Sequence, residues 1–201
     1  MRLKDEKTYP FMWEVEGHLE DDFCDVIIDT FERDETKEPG VIGTGGVDTS
    51  IKNSIDAMID GEHWAGIEEQ LHEQLSEIIN ETGYLGGMKT AHTGYHVQKT
   101  PADAEIGYDW HVDTQYTHAP DGRLHERVLT FIWYLNDDFE AGETEFNDCI
   151  VEPKKGKLLL FAPSTTMIHR GIPPKGKDKY ICTGWLWAPM PIYEELNIPE
   201  E

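Results

Sequence analysis

From Thr90 onward the chain changes period. Apolar residues stop recurring at helical spacing and begin to alternate in short runs, with candidate strands at 91–98, 105–112, 127–136, 143–151, 157–162, 165–170 and 179–188. Turn signals separate them: Pro101, Asp121-Gly122, Ala141-Gly142, Pro153 to Gly156, and Pro173 to Gly176. Many short strands after a helical start bury their faces best as two packed sheets. The spacing therefore predicts an α+β fold, a double-sheet barrel or jelly roll flanked by helices.

The preceding stretch supplies the helices. Phe11 to Val15 alternates weakly and reads as an edge strand. Leu19-Glu20-Asp21-Asp22 offers caps and first-turn acids, and Phe23, Val26, Ile27 and Phe31 follow at helical spacing. Residues 35–47 are rich in glycine and charge and read as a loop. A longer helix runs from about Glu62 to Thr82, with Trp64, Ile67, Leu71, Leu75 and Ile78 as one stripe and Gly83 as its C-cap. His63 and His72 sit beside that stripe, so a metal role for them is not expected. Residues 1–201 read as one domain, with a helical support layer at 1–86, a jelly-roll core at 87–190 and an acidic tail at 191–201.

Formal charge is 17 − 40 = −23, histidines excluded. Such a surface repels phosphate backbones, so no nucleic-acid partner is expected. Cys24, Cys149 and Cys182 are odd in number and lack CxxC spacing, which argues against a disulfide framework or a zinc knuckle. The first residues contain no apolar signal region, and no apolar run approaches membrane-spanning length. These features predict a cytoplasmic protein without a membrane partner.

The chemistry concentrates in His111-Val112-Asp113. Residues two apart in a strand share a face, so His111 and Asp113 can turn toward one metal. His169, downstream of the apolar run Leu158 to Phe161, can supply a third ligand. Two imidazoles and one carboxylate cap one face of a ferrous ion and leave the other open, as in non-haem Fe(II) oxygenases. Lys179 stands ten residues further on, at the start of another apolar strand. It can pair with the distal carboxylate of a 2-oxo acid.

These motifs resemble the Fe(II)/2-oxoglutarate dioxygenases of the prolyl 4-hydroxylase type. The resemblance also covers Tyr134-Leu135-Asn136, Gly142-Glu143-Thr144-Glu145-Phe146, the spacing of Pro153 and Gly156 before Leu158 to Phe161, and Trp185. In the helical half, Phe23 to Ile28 is similar to the family's first helix, and Lys52-Asn53-Ser54 to its Arg-x-Ser motif. The resemblance implies a double-stranded β-helix, cupin-like, with N-terminal helices. It implies that His111, Asp113 and His169 hold Fe(II), and that Lys179 and Tyr134 bind 2-oxoglutarate with Tyr95 and Thr130 lining its pocket. Tyr108, Trp110 and Trp185 are expected at the substrate mouth; Arg127 reads either as a surface cation or as a cofactor contact. Oxygen is the co-substrate, and ascorbate is a further expected ligand. Two departures stand out: Ala141 replaces a family glycine, and Lys52 replaces an arginine whose planar fork is lost.

The leading expectation is a hydroxylase of prolyl residues in a protein or peptide, with 2-oxoglutarate decarboxylated to succinate. The alternatives are hydroxylation of a free amino acid or other small molecule, and a non-catalytic metal-binding or sensor protein. The loop at 114–126, with His118 and His125, is expected to border the site as a polar lid.

Overall fold

The two apolar stripes become two helices laid on one face of a large antiparallel sheet. The computed structural model describes residues 11–190 apart from 44, 84, 87, 93 and 121. The acidic tail expected at 191–201 lies outside the described residues. Strand β1 (Met12–Val15) leads to helix α1 (Asp21–Arg33), then to β2 (Glu38–Pro39) and β3 (Ile55–Met58). A 3-10 turn (Glu62–Trp64) runs into helix α2 (Ala65–Thr82). There follow β4 (Ala91–His92), β5 (His96–Thr100), β6 (Tyr108–His111), β7 (Tyr116–His118), β8 (Leu124–Tyr134) and β9 (Glu140–Ala141). The chain continues through β10 (Thr144–Phe146), β11 (Ile150–Val151), β12 (Leu158–Phe161), β13 (His169–Gly171), β14 (Pro174–Lys175) and β15 (Lys179–Pro189).

Helix α1 begins with Asp21 and Asp22 and ends with Arg33, which complements its dipole at both ends. It buries Cys24, Ile27 and Phe31. Helix α2 ends where Gly83 adopts φ 60°, with its N–H bonded to Ile79 O, as its place in the sequence predicts.

The main sheet runs β1-β12-β8-β15-β5-β3-β2, with β4 added on β15 and β7 on β8; a smaller sheet runs β11-β10-β13-β6. Alternation splits the core in two. Phe131, Trp133, Leu158, Leu160 and Cys182 pack under the helices with Phe31, Trp64 and Leu71. Ile132, Tyr134, Leu159 and Phe161 point the other way and meet Phe146 and Val151 of the small sheet. The two sheets are the expected double-stranded β-helix, and the space between them is the site.

Three stretches differ from the sequence reading. The strand expected at 91–98 breaks at Gly94, where φ is 92°, into β4 and β5. The loop expected at 114–126 is largely a hairpin, with Tyr116, Thr117 and His118 paired to Glu126, His125 and Leu124. Residues 38–39 and 55–58, the first inside an expected loop, add two strands beyond β5.

Candidate active site

Strands β6 and β13 are antiparallel neighbours, and their pairing sets His169 directly opposite His111. Asp113 follows two residues after His111, just past the end of β6. Its Oδ1 lies 3.8 Å from His111 Nε2, and its Oδ2 lies 3.8 Å from His169 Nε2. All three candidate ligand atoms fall within 4.8 Å of one another, and no other such cluster occurs among the described residues.

The surroundings orient these donors. His111 Nδ1 is 2.8 Å from the carbonyl of Asp109, and His169 Nδ1 is 3.0 Å from the carbonyl of Met167. A carbonyl only accepts, so each Nδ1 carries a hydrogen, and in the neutral ring the lone pair is then on Nε2, the atom that faces Asp113. Thr130 Oγ1 donates to Asp113 Oδ2 at 2.9 Å. Burial, and then the neighbouring His169, lowers the His111 pKa to about 4. Near neutral pH that imidazole is uncharged, as a metal ligand must be. Two Nε2 donors and one carboxylate, each tied from behind, can hold Fe(II).

A cavity of about 630 Å³ opens in front of this cluster. Lys179, at the start of β15, lies in its wall, 5 % exposed, with Nζ donating to Gly142 O at 2.6 Å. Burial pushes its pKa down to about 8, against the opposing pull of Glu143. The Lys179 ammonium lies over the Tyr134 ring, and Tyr134 Oη shares a 2.7 Å hydrogen bond with Thr144 Oγ1. Gly142 has φ 83°, and Ala141 beside it has φ 60°. The alanine that replaces a family glycine therefore sits in the left-handed region, at some cost in strain.

The remaining expected residues divide. Thr130 and Trp185 line the cavity, and so does Tyr108, which stacks on His111 at 3.7 Å between centroids. Two expectations are corrected. Tyr95 does not reach the cavity: it is fully buried among Phe131, Trp133 and His92 on the helix side, because His96, Gln98 and Thr100 take the inward positions of that strand. Trp110 turns outward, with the Arg170 guanidinium 4.9 Å from its ring. The cause is a register shift: between His111 and Tyr108 the β6 strand spends three steps where β13 spends two. That bulge brings Tyr108 and His111 to one face and expels Trp110.

Arg127, open between two readings in the sequence, lies in the cavity wall. Its guanidinium packs 3.6 Å from the Trp185 ring centroid and 5.3 Å from that of Trp187, and its Nη1 donates to Asp113 O at 3.1 Å. Burial lowers its pKa to about 10. Arg127 Nε, Trp185 Nε1 and Trp187 Nε1 are buried donors with no acceptor among the described residues. Lys52, Asp56, His96 and Gln98 also line the cavity. Period-two counting inward from Lys179 through Ile181, Thr183 and Trp185 could have found most of the β15 lining.

Fold and donor set together meet what a mononuclear non-haem iron centre requires. Residues 95–187 match the model of the 2OG-Fe(II) oxygenase superfamily. Over this stretch, just under half of the chain, the sequence is similar to that superfamily, and His111, Asp113 and His169 could hold a metal ion there. The solved structures it resembles include a viral collagen prolyl hydroxylase from Paramecium bursaria Chlorella virus-1, determined with 2OG. That match has a TM-score of 0.68 and 21% identity and covers 89% of this chain and 96% of that one. A Trichoplax adhaerens prolyl hydroxylase bound to a hypoxia inducible factor peptide fragment matches with TM-score 0.72 and 19% identity, over 88% and 83% of the two chains. A Pseudomonas putida prolyl-4-hydroxylase gives 0.64 and 23%, over 87% and 91%. At these identities the likeness is one of fold. No curated protein matches the sequence. No helix among the described residues is long and apolar enough to cross a membrane.

Proposed function

We propose that this chain is a 2-oxoglutarate-dependent dioxygenase that hydroxylates prolyl residues in a peptide or protein and converts 2-oxoglutarate to succinate and carbon dioxide. In this reading His111, Asp113 and His169 hold the iron, residues 1–201 act as one cytoplasmic catalytic domain, and ascorbate serves as reductant. Lys179 pairs with the distal carboxylate of 2-oxoglutarate, and Thr144 offers a hydroxyl beside it, held from behind by Tyr134 Oη, which is fully buried and does not line the cavity. Iron bound with 2-oxoglutarate supplies oxidation of an unactivated C–H bond by O2.

The rest falls to the chain's own side chains. Thr130 keeps the Asp113 carboxylate oriented. Lys179, deep between the sheets, fixes one end of the cofactor where water is excluded. The observation that carries the substrate reading is the wall formed by Arg127, Trp185 and Trp187. The Arg127 guanidinium offers N–H groups to a peptide carbonyl, and the indoles of Trp185 and Trp187 give a pyrrolidine ring an apolar surface to pack on. The named activities of the similar structures fit a prolyl substrate. A second reading has its own support: Arg127 is a half-buried cation in the cavity wall with no salt bridge among the described residues, which favours a substrate carrying a free carboxylate, such as an amino acid.

The test is succinate release with Fe(II), 2-oxoglutarate and ascorbate, comparing a proline-rich peptide, free L-proline and no substrate, with product mass recorded. Peptide-stimulated succinate and one added oxygen on the peptide are expected. Stimulation by free proline alone would replace the peptide reading with the second. Asp113→Ala and His169→Ala should each abolish turnover, and full turnover in either would refute the iron assignment.

A further inference from the structure

Lys52 has no role in the site as described, yet it is 5 % exposed and locked in place. Its Nζ lies 2.6 Å from Asp56 Oδ2. The Asp56 carboxylate also accepts from Ser54 Oγ at 2.7 Å and from Gln98 Nε2 at 3.3 Å. The backbone around Lys52 is fastened to the strand that carries His111: Asn53 N donates to Gly107 O, and Asp109 N donates to Ile51 O, both at 2.8 Å. Lys52 itself forms an isolated antiparallel bridge with Tyr108. Its ammonium stands over the Tyr108 ring, 5.4 Å from the centroid. That ring lies nearly parallel to the His111 imidazole, at 17° and 3.7 Å.

The two histidines are held differently. His169 is caged edge-on by Phe161 and flanked by Phe146, and its side chain is 5 % exposed. The His111 side chain is 18 % exposed; among the described residues, apart from its two fellow ligands, its hydrogen-bond and ring partners are the Asp109 carbonyl and Tyr108. One hydrogen bond fixes a point on an imidazole; a stacked ring fixes its plane.

We propose that Lys52 is a positioning residue for the metal centre: anchored by Asp56, its ammonium holds the Tyr108 ring flat against His111 and so sets the plane in which Nε2 is presented. A lysine ammonium is a point charge on a flexible stem, so it needs the Asp56 anchor to hold this place. The inference rests on the reading of His111 as an iron ligand.

Co(II) is the probe, followed by its visible ligand-field absorption and by calorimetry without turnover. Partners that orient a metal-bound histidine usually change metal affinity by about 10–100-fold. Lys52→Met is expected to weaken Co(II) binding about tenfold and to shift the absorption bands, while Lys52→Arg restores both. Tyr108→Leu should weaken binding at least as much, and Lys52→Met should add nothing to it in the double variant. Asp56→Asn, which frees the ammonium without removing it, should repeat the Lys52→Met effect and serves if that variant folds poorly. Wild-type Co(II) binding that Lys52→Met leaves unchanged would overturn the proposal, as would a rise in substrate KM as that variant's sole effect. A wild-type protein that binds no Co(II), or binds it equally well as Asp113→Ala, would overturn the iron reading and this inference with it.

Discussion

In the proposed reading Lys179 is the residue on which 2-oxoglutarate recognition turns, and burial makes its charge conditional. With its pKa lowered to about 8, the ammonium predominates below that pH and the neutral amine above it. Only the ammonium can pair with a carboxylate, and 2-oxoglutarate stays doubly ionised across this range. Binding should therefore be strongest below pH 8 and weaken as pH rises through it, approaching a tenfold loss per unit. Calorimetric titration of 2-oxoglutarate into anaerobic Mn(II)-loaded protein between pH 7 and 9.5 measures this. Lys179→Met should weaken binding by about 100-fold or more, since it strands a buried carboxylate without a cation, and should flatten the pH dependence. A flat profile in the wild-type protein would mean that another group meets the distal carboxylate.

Strand β15 is the element that holds the site's two ends together, with Lys179 at one end and Trp185 and Trp187 at the other. It lies between β8 and β5 in the main sheet, so its path is fixed from both sides. Gly184 lets it pass: a Cβ there would stand 2.5 Å from Phe131 Cζ and 2.8 Å from Gly94 O. The Phe131 ring is buried and the Gly94 carbonyl is backbone, so neither yields cheaply. Gly184→Ala should cost about 1–3 kcal/mol and lower Tm by roughly 3–10 °C, read by thermal unfolding; an unchanged Tm would mean that β15 can shift. This constraint was invisible in the sequence, although β15 itself was plain from its length and apolar content. The same holds across the molecule. Helices α1 and α2, the long strands and the His111, Asp113, His169 and Lys179 set were legible because their periods and spacings are local. Tyr95 and Trp110 were misplaced because a strand's phase depends on its partners: one bulge in β6, and the inward turn of His96, reverse which residues face the cavity. The pairing of β2 and β3 beyond β5 was hidden for a similar reason, since strands this short and exposed are specified by the edge they join.

The whole molecule is an anion with cations inside it. A net charge of −23 surrounds a cavity whose lining includes Lys52, Arg127 and Lys179. Asp56 neutralises Lys52, which leaves Arg127 and Lys179 to meet ligands. Approach and capture are then governed by opposite fields. A dianion such as 2-oxoglutarate is repelled at long range and held at short range, whereas a prolyl peptide flanked by lysines is drawn in by the surface. Salt acts on these unequally. It screens exposed charges beyond a Debye length, about 10 Å at 0.1 M, and barely touches a pair formed deep between two sheets. Raising NaCl from about 20 to 200 mM should therefore lower the KM for 2-oxoglutarate and raise that for the lysine-flanked peptide, each by severalfold. A glutamate-flanked peptide of the same core sequence should follow 2-oxoglutarate. Steady-state kinetics at fixed pH, with each substrate varied in turn, separates these trends. If all three constants moved together, the surface charge would serve solubility alone and steering by the long-range field would be ruled out.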